Sequence, residues 1–139
     1  MTIEKPIYTA HAVSRGKGRD GIVKSDDDCG LELHLGTPKS LGGAGDGNNP
    51  EQLFAMGYAA CFLTSMQIAA GSMGRTHDAR KAVVYTDVHM GKPEGQDGYA
   101  LAVDIKVEGV DQDIIDEGHK MCPYSRMIGS GAVVNVTKV

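Results

Sequence analysis

The residues of this chain that are best suited to chemistry are its three cysteines, Cys29, Cys61 and Cys122. Their number is odd and none belongs to a Cys-x-x-Cys pair, so the spacing indicates neither a secreted disulfide framework nor a zinc site. We therefore expect no metal and no cofactor. In a reducing compartment an unpaired cysteine is either a small buried hydrophobe or a reactive thiol. Cys29 follows three aspartates, whose charge disfavours a thiolate, and we interpret it as a bystander.

The other two cysteines lie in contrasting surroundings. Cys61 belongs to an uncharged, mostly apolar stretch, whereas Cys122 stands directly before Pro123. They are 61 residues apart and meet only if their segments pack together, which the residues alone leave open. Either Cys61 is a core hydrophobe in an alanine-rich helix, or it carries chemistry.

The stretch around Cys61 has the features of a long helix. Asn49 is a good N-cap, Pro50 suits the first helical position, and Glu51 favours the positive end of the helix dipole. From residue 53 to residue 63 no face is reserved for water, so the helix must be enclosed by other elements. We expect Cys61 to be buried or nearly so.

The remaining segments alternate in the manner of strands. The predicted strands cover residues 7–13, 21–24, 31–35, 83–90, 99–107 and 133–139. A short helix over residues 111–121 should end before Pro123, because the residue preceding a proline resists helical geometry. The prediction is an α+β fold with about six strands, one long buried helix and one or two shorter helices, in a single domain spanning residues 1–139.

Charge and composition argue against several classes of protein. The net charge is −4 and the basic residues are scattered, so no nucleic-acid surface is indicated. The N-terminus has no basic region followed by an apolar run, which argues against a signal peptide. Residues 52–74 are long enough to cross a bilayer, but glycine, serine, threonine and glutamine dilute their apolar content. We expect a cytoplasmic protein with no membrane span.

Two segments resemble a known family. Asn-Pro-Glu-Gln-Leu-Phe-Ala-x-Gly-Tyr-Ala-Ala-Cys-Phe at residues 49–62 and His-x-x-Cys-Pro-Tyr-Ser at residues 119–125 are similar to the signature segments of organic hydroperoxide resistance proteins, in the Ohr/OsmC superfamily. The Tyr-Thr-Ala opening at residues 8–10 and the Gly-Arg-Asp-Gly turn at residues 18–21 come in the same order, so the resemblance covers nearly the whole chain.

The resemblance implies antiparallel sheets wrapped around the central helix in an intertwined homodimer. It also implies a thiol peroxidase that reduces organic hydroperoxides and is recycled by a dihydrolipoyl group. By motif position Cys61 is the peroxide-reactive cysteine, Cys122 is the resolving cysteine, and Arg19 and Glu51 are an activating pair. Three departures affect the expected substrate range: Met56 in place of the usual alanine, a helix before Cys122 that is a few residues short, and the altered segment after residue 125.

The chemistry of the residues agrees with that implication. A thiol is mostly protonated at pH 7, and burial lowers its thiolate fraction further, so a cation is required near Cys61. Arg19 can supply it, held by Glu51 in a bidentate pair. In one unbroken helix Glu51 lies about 15 Å along the axis from its own Cys61, which predicts a site built from two chains.

Three further expectations concern the substrate pocket, His119 and the alternative function. An apolar substrate pocket is expected from neighbours of Cys61 in the helix. These are Leu53, Phe54, Met56, Tyr58 and Phe62. His119 is interpreted as a helix-end cap rather than a base. The alternative function is a non-catalytic stress or ligand-binding protein on the same fold, in which Cys61 and Cys122 are merely packed.

Overall fold

The computed structural model describes residues 1–139, and these form two compact units. One unit is Glu4–Phe54, and the other comprises Met1–Ile3 and Ala55–Val139. The long helix α1 begins in the first unit and continues into the second. Each unit contributes one antiparallel sheet.

The first unit contains a three-stranded antiparallel meander. Strands β1 (Val13–Arg15), β2 (Ile22–Ser25) and β3 (Leu31–His34) pair in chain order. The expected strand over residues 7–13 is wrong, because pairing begins only at Val13.

Side-chain contacts replace sheet pairing at His11, two residues before β1 begins. The main-chain N–H of His11 donates to Asp27 Oδ2 at 2.9 Å, and its carbonyl accepts from Ser25 Oγ at 2.7 Å. These contacts satisfy the backbone groups that a sheet ladder would otherwise use.

Helix α1 (Pro50–Ser72) begins as the sequence predicts. Asn49 Oδ1 accepts from the main-chain N–H of Gln52 at 2.8 Å, which is the expected N-cap contact. The helix continues without interruption through Gly57. Glu51 and Cys61 therefore lie on one continuous helix.

The burial of α1 is more one-sided than expected. Its buried residues recur at helical spacing, namely Tyr58, Phe62, Ser65, Met66, Ala69 and Ala70. Met56 and Ile68 are 62% and 54% exposed. The prediction of a helix enclosed all round is thus wrong for the single chain, because the neighbouring helices of the same chain cover one face.

The length and apolar composition of α1 also meet the requirements of a membrane span. Core helices of soluble proteins meet the same requirements. Met66 of α1 is fully buried and lies directly against Gly118 of a second helix. We interpret α1 as a core helix.

A hairpin of β4 (Val83–Gly91) and β5 (Ala100–Glu108) forms the second sheet, close to its predicted bounds. The last predicted strand, over residues 133–139, is wrong. Val134 and Val136 there are 80% and 90% exposed, and no neighbouring strand pairs with them. β-branched residues favour a strand only where another backbone completes the ladder, so the fold has five strands.

Helices α2 (Gln112–Met121) and α3 (Pro123–Ser130) meet at Cys122. Cys122 is extended, with φ −62° and ψ 120°, as expected for a residue before proline. α2 approaches α1 very closely at Gly118, where an added Cβ would lie 2.5 Å from Met66 Cγ and 2.9 Å from Met66 Cα. Only glycine fits there without displacing a helix.

We predict that Gly118→Ala destabilises the protein by about 1–3 kcal/mol, the usual cost of overpacking a core. Urea unfolding measures the difference. Gly129→Ala is the matched control, since Gly129 is also helical and has nothing within 4 Å of an added Cβ. We expect that control to be neutral or slightly stabilising. Equal stabilities for the two variants would contradict this account of the contact.

Candidate functional site

The structure brings Cys61 and Cys122 together. Cys61 projects from the middle of α1, and Cys122 lies at the junction of α2 and α3. The Cys122 thiol donates to Cys61 Sγ across 3.5 Å, and both thiols are free. Cys122 is fully buried whereas Cys61 is partly exposed. Two thiols in contact, one of them accessible, can form a disulfide after a small movement.

The surroundings of Cys61 act on its thiol in opposite directions. Burial raises the pKa of the Cys61 thiol above its ordinary value, because the thiolate loses hydration. Hydrogen bonds from the Tyr124 main chain and the Ser65 side chain lower it. The raising contributions dominate, so the thiol needs further help to ionise at neutral pH.

The position of Cys122 is fixed by main-chain contacts on both sides. Its N–H donates to the Gly118 carbonyl at 2.9 Å, which closes α2. Its carbonyl accepts from the Arg126 N–H at 2.9 Å, which opens α3. α3 lies so close to α1 that a Cβ on Gly57 would be 2.7 Å from Tyr124 Oη. The resolving candidate therefore belongs to a rigid junction.

A hydrogen-bond network beside this junction was not predicted from the sequence. The Ser125 hydroxyl lies 2.7 Å from Tyr58 Oη and 2.9 Å from His119 Nδ1. His119 thus bonds a side chain of α3 and does not cap the carbonyls of α2, so its interpretation as a helix-end cap is wrong. The His-x-x-Cys-Pro-Tyr-Ser motif contained a signal for this network, because it places His119 three residues before Cys122 and Ser125 three residues after it.

Arg19 and Glu51 form an ion pair within the first unit. Arg19 lies in the 3-10 turn Gly18–Asp20, and Glu51 is in the first turn of α1. Arg19 Nη2 contacts Glu51 Oε1 alone, so the pair is a single charge-assisted hydrogen bond and not the expected bidentate fork. Arg19 Nη1 is buried and has no hydrogen-bond partner. A buried guanidinium donor of this kind is suited to bind an anion.

An open cleft of about 380 Å³ lies beside Cys61. It is mainly apolar and is lined by Ala60, Cys61, Thr64, Ser65, Ile68, Met121 and Pro123. The lining differs from the expected one. Tyr58 and Phe62 are buried in the core at 4% and 3% exposure, and Met56 is exposed. Tyr58 and Phe62 do not line the cleft because their rings pack against Tyr124 and His119 instead.

The third cysteine, Cys29, is exposed and belongs to the other unit. No cluster of three or more histidine, cysteine or acidic residues is arranged to hold a metal ion.

Comparison with known proteins gives the class that this fold and thiol pair define. Residues 43–137 match the family model described as OsmC-like protein. The chain belongs to this family.

Individual relatives have more specific descriptions than the family model. The chain is 40% identical, over 96% of each chain, to the organic hydroperoxide resistance protein of Xanthomonas axonopodis pv. citri. An organic hydroperoxide resistance protein from Legionella pneumophila superposes with a TM-score of 0.78 at 34% identity, covering 89% of this chain and 91% of that one.

A Vibrio cholerae relative, described with captopril bound in one of its active sites, has a TM-score of 0.78 at 37% identity, covering 90% of this chain and 87% of that one. The similarity to organic hydroperoxide resistance proteins that the two cysteine motifs predict is confirmed.

Proposed function

We propose that this protein is a cysteine-based peroxidase that reduces organic hydroperoxides to alcohols. The observation that carries the proposal is the 3.5 Å contact between Cys61 Sγ and Cys122 Sγ. A packed cysteine needs no second thiol, whereas a peroxidase that resolves through a disulfide needs one at contact distance. The names of its relatives, organic hydroperoxide resistance proteins, support the same substrate class.

In the first step the Cys61 thiolate attacks the outer oxygen of the hydroperoxide. A sulfur–oxygen bond forms, the peroxide bond breaks, and the alkoxide takes up a proton to leave as an alcohol. Cys61 becomes a sulfenic acid, two electrons more oxidised than the thiol. It is partly exposed at an open cleft, so a substrate can reach it.

Arg19 is assigned the role of stabilising the Cys61 thiolate, and Glu51 that of orienting Arg19. Burial raises the pKa of the Cys61 thiol, so a permanent positive charge is what the thiolate lacks. The unpartnered Nη1 of Arg19 is a donor that a thiolate could accept from. Glu51 occupies Nη2 and so leaves Nη1 for this use.

In the second step Cys122 attacks the sulfenic sulfur of Cys61. A disulfide forms, the sulfur–oxygen bond breaks, and hydroxide leaves as water with the proton of Cys122. A dithiol then reduces the disulfide by two successive thiol exchanges. We assign this role to a dihydrolipoyl group on a lipoylated protein, as the family resemblance implies.

The cleft favours an apolar substrate. Ile68, Met121 and Pro123 present hydrocarbon surface beside Cys61, and Thr64 and Ser65 supply hydroxyls. An alkyl or lipid chain buries apolar area here that hydrogen peroxide lacks. We therefore expect cumene hydroperoxide to react faster than hydrogen peroxide.

We further propose that the working form is a homodimer in the cytoplasm. Met56, Ala60, Thr64 and Ile68 follow one another at i, i+4 spacing and form an exposed, uncharged stripe along α1. A second copy of α1 is a suitable cover, because two such stripes related by a twofold axis are self-complementary. Three stripe residues also line the cleft, so the second chain would complete its wall.

The competing function is a non-catalytic binding protein with two packed thiols. We expect brief treatment with cumene hydroperoxide to remove two of the three thiols and create one Cys61–Cys122 disulfide, leaving Cys29 free. Cys61→Ser should abolish peroxide consumption. Cys122→Ser should consume about one equivalent and stop at oxidised Cys61, since only resolution is lost. Mass spectrometry of the modified peptides measures each product.

Cys29→Ser is the control, and it should behave like the unsubstituted protein. Normal turnover of Cys122→Ser with a dithiol would remove Cys122 from the resolving role. An inert thiol pair in the unsubstituted protein would favour the binding protein.

A second prediction concerns the pH dependence of the first step. Below its pKa, the thiolate fraction of Cys61 falls about tenfold per pH unit. Arg19→Ala removes the proposed cation and should raise this pKa, so the rate of Cys61 oxidation falls strongly at pH 7 and recovers at high pH. Stopped-flow rates across this range measure the shift. Arg15→Ala, at the exposed end of β1, is the matched control. Superimposable profiles for Arg19→Ala and the unsubstituted protein would exclude Arg19 from the site.

A third prediction tests whether two chains share one site. Because α1 is continuous past Gly57, a site that uses both Glu51 and Cys61 is expected to draw them from different chains. Mixing inactive Cys61→Ser with inactive Glu51→Ala and allowing exchange should restore activity in the heterodimers. Absence of recovery in verified heterodimers would place each site within a single chain.

A further inference from the structure

We infer that Ser125 is a positioning residue for disulfide formation, a role that rests on the proposed resolving function of Cys122. Its hydroxyl joins three helices beside the thiol pair. Tyr58 belongs to α1, His119 to α2 and Ser125 itself to α3. One small side chain therefore fixes the junction that carries Cys122 relative to the helix that carries Cys61.

Two members of the network are buried, whereas His119 lies at the protein surface. Tyr58 is 4% exposed and Ser125 is 8% exposed. A hydroxyl has one donor and two acceptor sites, so Ser125 can accept from Tyr58 Oη–H while donating to His119 Nδ1. Both contacts are of normal hydrogen-bond length, 2.7 Å and 2.9 Å. Shielding from water makes the Tyr58–Ser125 bond costly to break.

Ring contacts support the same arrangement. The rings of Tyr58 and Tyr124 have centroids 5.4 Å apart, and those of Phe62 and His119 are 6.0 Å apart. Tyr58 and Phe62 of α1 thus contact Tyr124 and His119. These two residues follow and precede Cys122 in the sequence. The hydroxyl of Ser125 sets the orientation that these apolar contacts alone leave adjustable.

Disulfide formation requires this precision. The sulfur atoms must close from 3.5 Å to about 2.05 Å, with a restricted torsion about the new bond. A junction that drifts by an ångström lowers the probability of that approach. Removing the Ser125 hydroxyl should therefore slow the resolving step while leaving the attack of Cys61 on peroxide unchanged.

The decisive measurement is the equilibrium of the protein with glutathione and glutathione disulfide, in a Cys29→Ser background so that only one pair reacts. It yields the effective concentration of one thiol toward the other. We expect Ser125→Ala to lower that value about tenfold, which corresponds to a reduction potential about 30 mV less negative. Tyr58→Phe, which removes one oxygen from the network, should lower it by a smaller factor.

Arg75→Gln is the control for a general weakening of the packing of α2. Arg75 forms ion pairs with Asp78, Asp111 and Asp113 and so holds the other end of α2. We expect this variant to keep the effective concentration of the unsubstituted protein. A value for Ser125→Ala equal to that of the unsubstituted protein would overturn the inference, and so would an equal fall in Arg75→Gln.

A kinetic experiment gives a second, independent measurement of the resolving step. After one equivalent of cumene hydroperoxide, a dimedone adduct at Cys61 should accumulate in Ser125→Ala and not in Arg75→Gln, while the rate of peroxide loss is the same in both. If Ser125→Ala does not fold, the same two measurements on Tyr58→Phe decide. Because glutathione disulfide replaces peroxide as the oxidant, the equilibrium tests positioning even if peroxide reduction itself fails.

Discussion

The close approach of α2 to α1 at Gly118 is the constraint on which the thiol pair depends. Gly118 leaves no room for a side chain against Met66, so the two helices meet backbone to side chain. Four residues later the chain must leave α2, because Pro123 follows, and Cys122 is then held within 3.5 Å of Cys61. The contact that stabilises the core is the same contact that sets the distance between the sulfur atoms.

Burial creates the electrostatic problem that the proposed chemistry must solve. The packing that brings the thiols together also raises the pKa of the Cys61 thiol. Tyr124 and Ser65 compensate only in part through hydrogen bonds. Under the proposed function Arg19, which has a buried, unpartnered guanidinium donor, would supply the remainder.

Local sequence rules predicted most helices and strands. Which strands pair and which residues are buried became clear only from the three-dimensional structure. The N-cap at Asn49, the two hairpin strands β4 and β5, and the break at Pro123 follow from capping, alternation and steric exclusion. Residues 133–139 have strand-forming composition but no partner backbone, and composition does not reveal a partner. In the same way, the motif spacing pointed to Cys61 and Cys122, but the Ser125 network depends on a tyrosine 67 residues away.

The unequal exposure of the two sulfur atoms bears on how the oxidised protein would be regenerated. Exchange requires an incoming thiolate to approach along the axis of the disulfide, and the sulfur that it strikes must be accessible. Cys61 is partly exposed whereas Cys122 has no exposed surface. Attack should therefore fall on Cys61, so the mixed disulfide with the reductant forms there and Cys122 departs as the leaving group. The difference in burial between the two cysteines would thus decide which of them returns to the thiol state first.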